Sequence, residues 1–349
     1  MNPILVYRID PLHDSRWATF IEGHLDASVF HTPQWLEALR RTYRYEPVAL
    51  TTTAPGKDLT NGIVFCRVQS WLTGRRMVSL PFSDHCQPLV GSEKELECLV
   101  SALEDERDAT RWTHVEIRPI LQPARTPTYL EKAQTFCFHR LDLRSSLEEL
   151  FRGFHKDCVQ RKIRRAQREA LCYKDGRSET LLQQFYQLLV LTRRRQRVPP
   201  QPLVWFRNLI ECMGDRLRIR VAYKDGRPVA GILTLRHKDT LVYKYGGSDR
   251  RFSNLGGMQL LLWKAIEEAK CAGLSEFDMG RSEPENHGLI DFKKRWGAAQ
   301  CESAYLHCRT RRSWPSAAAC GVRVARQVFA LAPDGFVVAV GRALYRHLG

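Results

Sequence analysis

Residues 240–297, TLVYKYGGSDRRFSNLGGMQLLLWKAIEEAKCAGLSEFDMGRSEPENHGLIDFKKRWG, decide the fold. The stretch opens with β-branched and aromatic residues and reads as a strand ending at Gly246-Gly247. Met258, Leu261, Leu262, Ala265, Ile266 and Ala269 then recur at helical spacing, with Gly273 placed to end the helix. SEFDMGR follows as a second strand. Strand, helix, strand in this order requires a right-handed crossover, so the two strands should be parallel neighbours. Gly256 and Gly257 open the crossover helix, where free backbone N–H groups and the helix dipole favour an anion. Gly246 and Gly247 permit close approach of a ligand to the backbone. Tyr245 and Asn254, flanking these glycines, join them as candidate substrate-binding residues. Asp278 stands at the C-terminal end of a parallel strand, where sites in α/β folds gather, and Arg281 is its nearest cationic neighbour. The next helix, expected from about Gly288 to Trp296, carries Phe292, Lys293 and Trp296.

Outward from this stretch the pattern stays mixed α/β. Upstream, residues 217–247 predict three strands, with KDGR at 224–227 as a tight hairpin turn. Residues 180–192 and 203–213 read as apolar helices. Lys156–Ala170 predicts a helix with a thin apolar stripe (Val159, Ile163, Ala166) among Arg161, Lys162, Arg164, Arg165 and Arg168. Arg193-Arg194-Arg195, beside a proline turn, form a fork-shaped donor array suited to phosphate or carboxylate. Nearer the N-terminus the expectation is a strand at 3–9, helical segments through Arg41 with Thr32 as a cap, and strands between Glu46 and Val90. A helix follows at Glu93–Arg107, then strands at 112–119 and 136–143. The expected divisions are 1–144 and 145–310 as two α/β lobes, and 311–349 as a basic amphipathic helical tail. That tail is expected to pack on the core or to contact an anionic membrane surface.

Composition bounds the function. The chain has 349 residues, 44% of them hydrophobic and 26% charged, which suggests a globular protein of about two domains. No run approaches the roughly 18 apolar residues of a membrane span, and MNPILVYRID lacks the pattern of a secretory signal. Eleven irregularly spaced cysteines suit reduced thiols and a cytoplasmic setting. The net charge is +16, and between Phe151 and Met213 there are 14 Lys/Arg against 5 Asp/Glu. Such a surface favours an acidic partner: a phosphate-bearing donor or acceptor, tRNA, an acidic carrier or anionic lipid. Asp84, His85 and Cys86 in PFSDHCQP (81–88) are potential ligands or nucleophiles. Adjacent residues diverge on an extended chain, however, and no second Cys/His pair follows at zinc spacing. We read that loop as lining a substrate, and no metal site is assigned.

FDMGR followed by FKKRWG resembles the C-terminal half of FemAB/FemX-like aminoacyltransferases and proteins with a BioF2-like acetyltransferase domain, within the GNAT superfamily. RKIRRAQREAL (161–171) and FHTPQWLEALRRTYRYEPVAL (30–50) extend the resemblance over roughly residues 28–305. The resemblance implies two GNAT-like lobes in tandem. It also implies acyl or aminoacyl transfer to an amino group, on a cell-envelope or exopolysaccharide precursor, in the cytoplasm or at the inner face of the membrane. It implies that Lys293 stabilises an oxyanion or phosphate, and that Arg161, Lys162 or Arg165 meets a substrate phosphate. No permanently bound cofactor is expected; the donor is a co-substrate. RRFSNLGG departs from the Q/R-x-x-G-x-G/A coenzyme A loop of GNAT proteins, which leaves acyl-CoA, aminoacyl-tRNA and acyl carriers all open as donors. Two other functions stay open: a non-catalytic basic protein binding RNA or anionic membrane, and an N-acetyltransferase using acetyl-CoA on a small amine.

Overall fold

The structure, a computed structural model, describes residues 4–110, 112, 114–120, 130–308 and 334–348. In chain order its elements begin with β1 (Tyr7–Ile9), α1 (Ser15–Gly23), α2 (Pro33–Tyr43), β2 (Glu46–Thr51), β3 (Ile63–Ser70), β4 (Gly74–Val78), α3 (Glu93–Thr110), β5 (His114–Ile117) and β6 (Leu130–Asp142). There follow α4 (Leu147–Gly153), α5 (Arg161–Arg168), β7 (Cys172–Gly176), α6 (Glu179–Arg195), α7 (Leu203–Met213), β8 (Leu217–Lys224), β9 (Arg227–His237) and β10 (Thr240–Ser248). The last are α8 (Gly257–Cys271), β11 (Glu276–Ser282), α9 (His287–Lys294), β12 (Ala299–Cys308) and α10 (Asp334–Leu348).

Two compact units emerge. The first comprises Met1–Phe136, Cys301–Ala317 and Ala343–Gly349; the second comprises Cys137–Gln300 and Ala318–Arg342. These differ from the expected division at 144 and 310. The dividing point falls inside β6, whose first residue, Leu130, packs in the first core. The chain then returns to that unit through β12, where Leu306 pairs with Ile117. Nothing in AQCESAYLHC stands out as an apolar run, so sequence patterning passed β12 over.

In the first unit the strands run β1–β2–β3–β4–β5–β12. The first four are antiparallel neighbours, β2 to β4 lying where strands were expected between Glu46 and Val90, and β5 joins β4 in parallel. Val48, Phe65, Met77, Leu99, Leu103, Val115 and Leu306 fill the core. Thr32 caps α2 by accepting the Trp35 N–H at 3.3 Å, with Pro33 in the first turn. The final turn of α10 is docked: the His347 carbonyl accepts from Thr73 at 2.9 Å and Arg76 at 3.0 Å. Those bonds satisfy one of the carbonyls that a helix end leaves free. Of the predicted tail, 311–333 lies outside the described residues. No helix among the described residues is long and apolar enough to cross a membrane.

In the second unit the order is β6–β11–β10–β9–β8–β7. β7 to β10 are antiparallel neighbours, whereas β10 and β11 are parallel, as the crossover through α8 requires. Asp225 and Gly226, both at positive φ (50° and 75°), make the hairpin turn expected from KDGR. One face of the sheet packs on α5 and α8, burying Ile163, Leu261, Ile266, Phe277, Met279 and Trp296. β7 was not anticipated, because CYKDG has only one aromatic and no β-branched side chain. The basic helix begins at Arg161 after a π-wound turn at Lys156–Gln160, not directly at Lys156.

Gly247 sets how close α6 comes to the sheet. A methyl group on its α-carbon would lie 2.6 Å from the Leu188 carbonyl carbon and the Leu189 nitrogen. Helix backbone cannot yield as a side-chain tip can. We predict that Gly247→Ala costs about 2 kcal/mol or more in urea unfolding, as overpacking does. Gly288→Ala, with open space around its α-carbon inside α9, should be neutral or stabilising by up to about 1 kcal/mol.

Candidate functional site

The second unit is shaped by where its two parallel strands part. β10 and β11 pair at Thr240↔Glu276, Leu241↔Phe277 and Val242↔Asp278, and there the pairing ends. Beyond that point β10 continues to Ser248 along β9, and β11 continues to Ser282 along β6. Each strand is irregular immediately after the parting. On β10, Tyr243 faces Thr234 and Tyr245 faces Leu233, so Lys244 is an extra residue. On β11, Asp278 faces Arg140 and Arg281 faces Phe138, so Met279 and Gly280 together oppose His139. Gly280 has φ +71°, a conformation glycine adopts without cost. Bulges bend and twist a strand, so the pair is bent at its junction.

On the β11 side the structure gathers Asp278, Arg281 and Lys293. The Lys293 ammonium, 2% exposed, donates to the Gly280 carbonyl at 2.8 Å and the Arg281 carbonyl at 2.9 Å. Asp278, also 2% exposed, accepts the Gly280 N–H at 2.6 Å. These contacts tie α9 to the bulge. They revise the expectation that Lys293 faces a substrate oxyanion directly, because its nitrogen is buried against backbone carbonyls. Sequence reasoning missed His139. It is fully buried, and neither ring nitrogen has a hydrogen-bond partner among the described residues. Burial first, then the charges of Lys293 and Lys294, push its pKa down to about 4. A neutral imidazole therefore lies beside the lysines. No local motif signals it, since FCFHRLD reads only as a strand.

On the β10 side the extra residue sorts two tyrosines. Tyr243 lies on the α8 side, its hydroxyl 4.0 Å from the Met258 sulfur. A methyl group on Gly246 would collide with that hydroxyl, so Gly246 makes room for Tyr243. Burial pushes the Tyr243 phenol up to about 12. Tyr245 turns the other way and accepts the Trp205 indole N–H at 3.0 Å. Tyr245 and Gly247 are thereby covered by α7 and α6 and act as packing residues.

The helix mouth is also partly closed. Gly256, at φ +80°, sits so close to the Lys162 carbonyl that any side chain would strike it. Gly257 packs on Val229 and Ala230. The basic helix is thus brought to the start of α8. Its Arg161 pairs with Asp157 at 3.3 Å and Arg165 with Glu169 at 3.6 Å, both on the surface. Such pairs hold little energy and leave the cations near solvent. Asn254 is exposed. Phe292 is half-buried and Trp296 fully buried, the latter edge-on to Phe154 at 4.9 Å. Trp296 is therefore a core residue, not a substrate contact.

The arginines at the end of α6 meet Arg197 and Arg250 around a groove. A cavity of about 420 Å³ is lined by Leu191, Arg194, Arg195, Arg197, Asp249 and Arg250. Arg195 is held in place by the Ser248 carbonyl at 2.6 Å and the Thr192 hydroxyl at 3.0 Å. Arg193 donates to Gln196 at 3.1 Å beside it. Four cations against one carboxylate suit a phosphate-bearing ligand.

In the first unit, Cys86 is buried with its sulfur 3.4 Å from His31 Nε2. The pair is not set up as nucleophile and base. His31 Nδ1 accepts from Ser28 N–H at 3.0 Å, and Nε2 bonds the Gln87 carbonyl at 2.9 Å. Nε2 therefore carries the proton, and burial pushes the thiol up to about 12.

Residues 155–294 match the family model of an acetyltransferase (GNAT) domain. Among solved structures, the crystal structure of FemX is similar at TM-score 0.68, with 12% identity over 85% of this chain and 96% of that one. A tandem GNAT protein from the clavulanic acid biosynthesis pathway is similar at TM-score 0.56, with 10% identity over 89% of this chain and 100% of that one. A conserved protein of unknown function from Bacteroides thetaiotaomicron VPI-5482 gives TM-score 0.55 and 12% identity, over 88% and 100% of the two chains. At these identities the likeness is one of fold. No curated protein matches the chain.

The buried imidazole makes a pH prediction. The His139 pKa lies below its unfolded value, so between about pH 6.5 and 4 the unfolded chain binds a proton that the folded chain refuses. Stability should fall as pH falls through that window. His139→Gln should flatten this acid limb, read as urea midpoints at pH 7 and pH 5.

Proposed function

We propose that this chain, a FemX-like protein of tandem GNAT fold, transfers an acyl or aminoacyl group from an activated donor to an amine. The acceptor we propose is an amino group on a cell-envelope or exopolysaccharide precursor, met in the cytoplasm or at the inner face of the membrane. The observation that carries the reading is the GNAT domain match over 155–294, which contains the parted strands β10 and β11. Parted strands leave main-chain edges that are not committed to each other, and an extended acyl donor can use them by strand addition.

In the reaction the acceptor nitrogen attacks the donor carbonyl carbon. A C–N bond forms, the ester C–O or thioester C–S bond breaks, the amine gives up one proton, and the leaving oxygen or sulfur gains one. Catalysis of this kind is largely positioning and stabilisation of the carbonyl oxygen. We assign Tyr243 to protonate the leaving group. It follows Val242, the last residue of β10 paired with β11, and keeps its proton well above neutral pH. Lys293 is a positioning residue that maintains the bulge of β11 and adds a positive charge there. The arginine groove would take donor phosphates, with bidentate geometry that lysine does not offer.

A second reading is N-acetylation from acetyl-CoA. It is favoured by the acetyltransferase description of the matching domain. Single-turnover reactions with aminoacyl-tRNA and with acetyl-CoA, each offered amino sugars and amine-bearing envelope precursors, separate the two by the mass of the product. Transfer from neither donor, with tight salt-sensitive binding of RNA or anionic vesicles, would overturn the transferase reading in favour of a binding protein.

Tyr243→Phe should lower kcat about 100-fold or more, the usual worth of a general acid, with little change in KM. Lys293→Met should lower both kcat and stability, losing about 1–3 kcal/mol for carbonyls left unsatisfied. If Lys293→Met loses stability but keeps kcat, the lysine is structural alone. Charge reversal at Arg194 and Arg250 should raise KM for the phosphate-bearing donor and reduce its salt dependence.

A further inference from the structure

The first unit contains a second chemical cluster, independent of the acyl-transfer reading. His114 and Glu116 stand two apart on β5, and His307 on β12 is the register partner of Glu116. One ligand atom from each lies within 4.8 Å of the others. Glu116 Oε2 is 3.3 Å from His307 Nε2 and 3.9 Å from His114 Nε2. The two imidazoles lie nearly face to face, with centroids 4.4 Å apart at 34°. Among the described residues this is the one His/Cys/Asp/Glu group spaced in this way.

We infer that His114, Glu116 and His307 form a site for a divalent transition cation of the zinc class, clipping β12 to β5. In a tetrahedral zinc site with bonds of about 2.0–2.2 Å, ligand atoms sit about 3.4 Å apart. The observed separations need only small side-chain rotations to reach this. Two imidazoles and one carboxylate make up a zinc ligand set that leaves a fourth position for water. Both imidazoles are about a third exposed or less (27% and 32%), while Glu116 is nearly buried (12%).

The surroundings hold the carboxylate ready. Arg118 donates to Glu116 Oε1 at 2.7 Å, leaving Oε2 toward the imidazoles. Arg118 is itself pinned by the Leu80 carbonyl at 2.9 Å and by the Tyr305 ring, 4.4 Å from its guanidinium carbon. Outer partners of this kind orient metal ligands. His114 Nε2 is shielded from solvent and makes no hydrogen bond among the described residues. A cation would supply its partner. The cost is the positive charge of Arg118, and of Arg76, which neighbours His114 in register on β4. That charge predicts moderate affinity.

The clip has a physical purpose. β12 is the strand by which the chain re-enters the first unit after Cys137–Gln300 of the second. Its pairing with β5 joins residues 191 apart. A ligand that binds only the folded state stabilises it in proportion to its affinity.

The test uses the full untagged chain, stripped with a chelator, with Co²⁺ and Zn²⁺ as probes. The expected result is one equivalent bound, visible cobalt bands without a thiolate charge-transfer band, and a rise in Tm. His114→Ala and His307→Ala should each weaken binding about 100-fold or more, and both should fold, since these rings are partly exposed. Absence of one-to-one binding at micromolar Zn²⁺ in the folded wild-type chain would overturn the site. So would binding unchanged in both variants, or a cobalt spectrum showing thiolate ligation.

Discussion

The second unit depends on one buried ammonium group. Where β10 and β11 part, the β11 backbone loses its ladder partners just as it passes through a bulge, and backbone carbonyls cannot be buried unpaired without cost. Lys293 answers this by donating to the carbonyls of Gly280 and Arg281 from α9. Asp278 answers for the Gly280 N–H. A charge is expensive to bury; here it is offset by charge-assisted bonds that an ordinary strand neighbour would supply with neutral groups. The junction is held open by side chains.

That arrangement explains several residues at once. Gly280 is required by the positive φ of its bulge, and Gly246 by the Tyr243 hydroxyl packed on it. The extra residue at Lys244 turns Tyr243 toward α8 and Tyr245 toward α7. His139 sits opposite the bulge and next to two lysines, so it stays neutral where an exposed histidine would be partly charged. Charge is also partitioned within the unit. The buried cation does backbone work, while the arginines at the end of α6 line an open groove.

The division into units has a different cause. A strand belongs to the core it packs on and not to the stretch of chain it follows. β12 comes after the acyltransferase-like segment in sequence, yet Leu306 and Ala304 lie among the side chains of the first core. The nine cysteines from Cys66 to Cys301, scattered through both units, are free thiols. Cys86 shows why adjacency misleads: its sulfur contacts His31, 55 residues away in the chain. The burial that brings Cys86 to His31 also silences it.

Local patterning was enough for much of this protein. The period of 3.6 in α8, the Asp225-Gly226 turn, the Thr32 cap and the parallel pair across α8 all follow from residues close together in the chain. So does the excess of arginine at the end of α6. Tertiary structure alone decided the rest: Lys293 turned inward, Trp296 placed in the core, Gly247 set against α6, and His139, Tyr243 and the His114–Glu116–His307 cluster brought into play. The physical reason is that propensity and periodicity act over a few residues. The burial of a charge, the partner of a carbonyl and the meeting of two imidazoles are set by segments that become neighbours only when the sheet assembles.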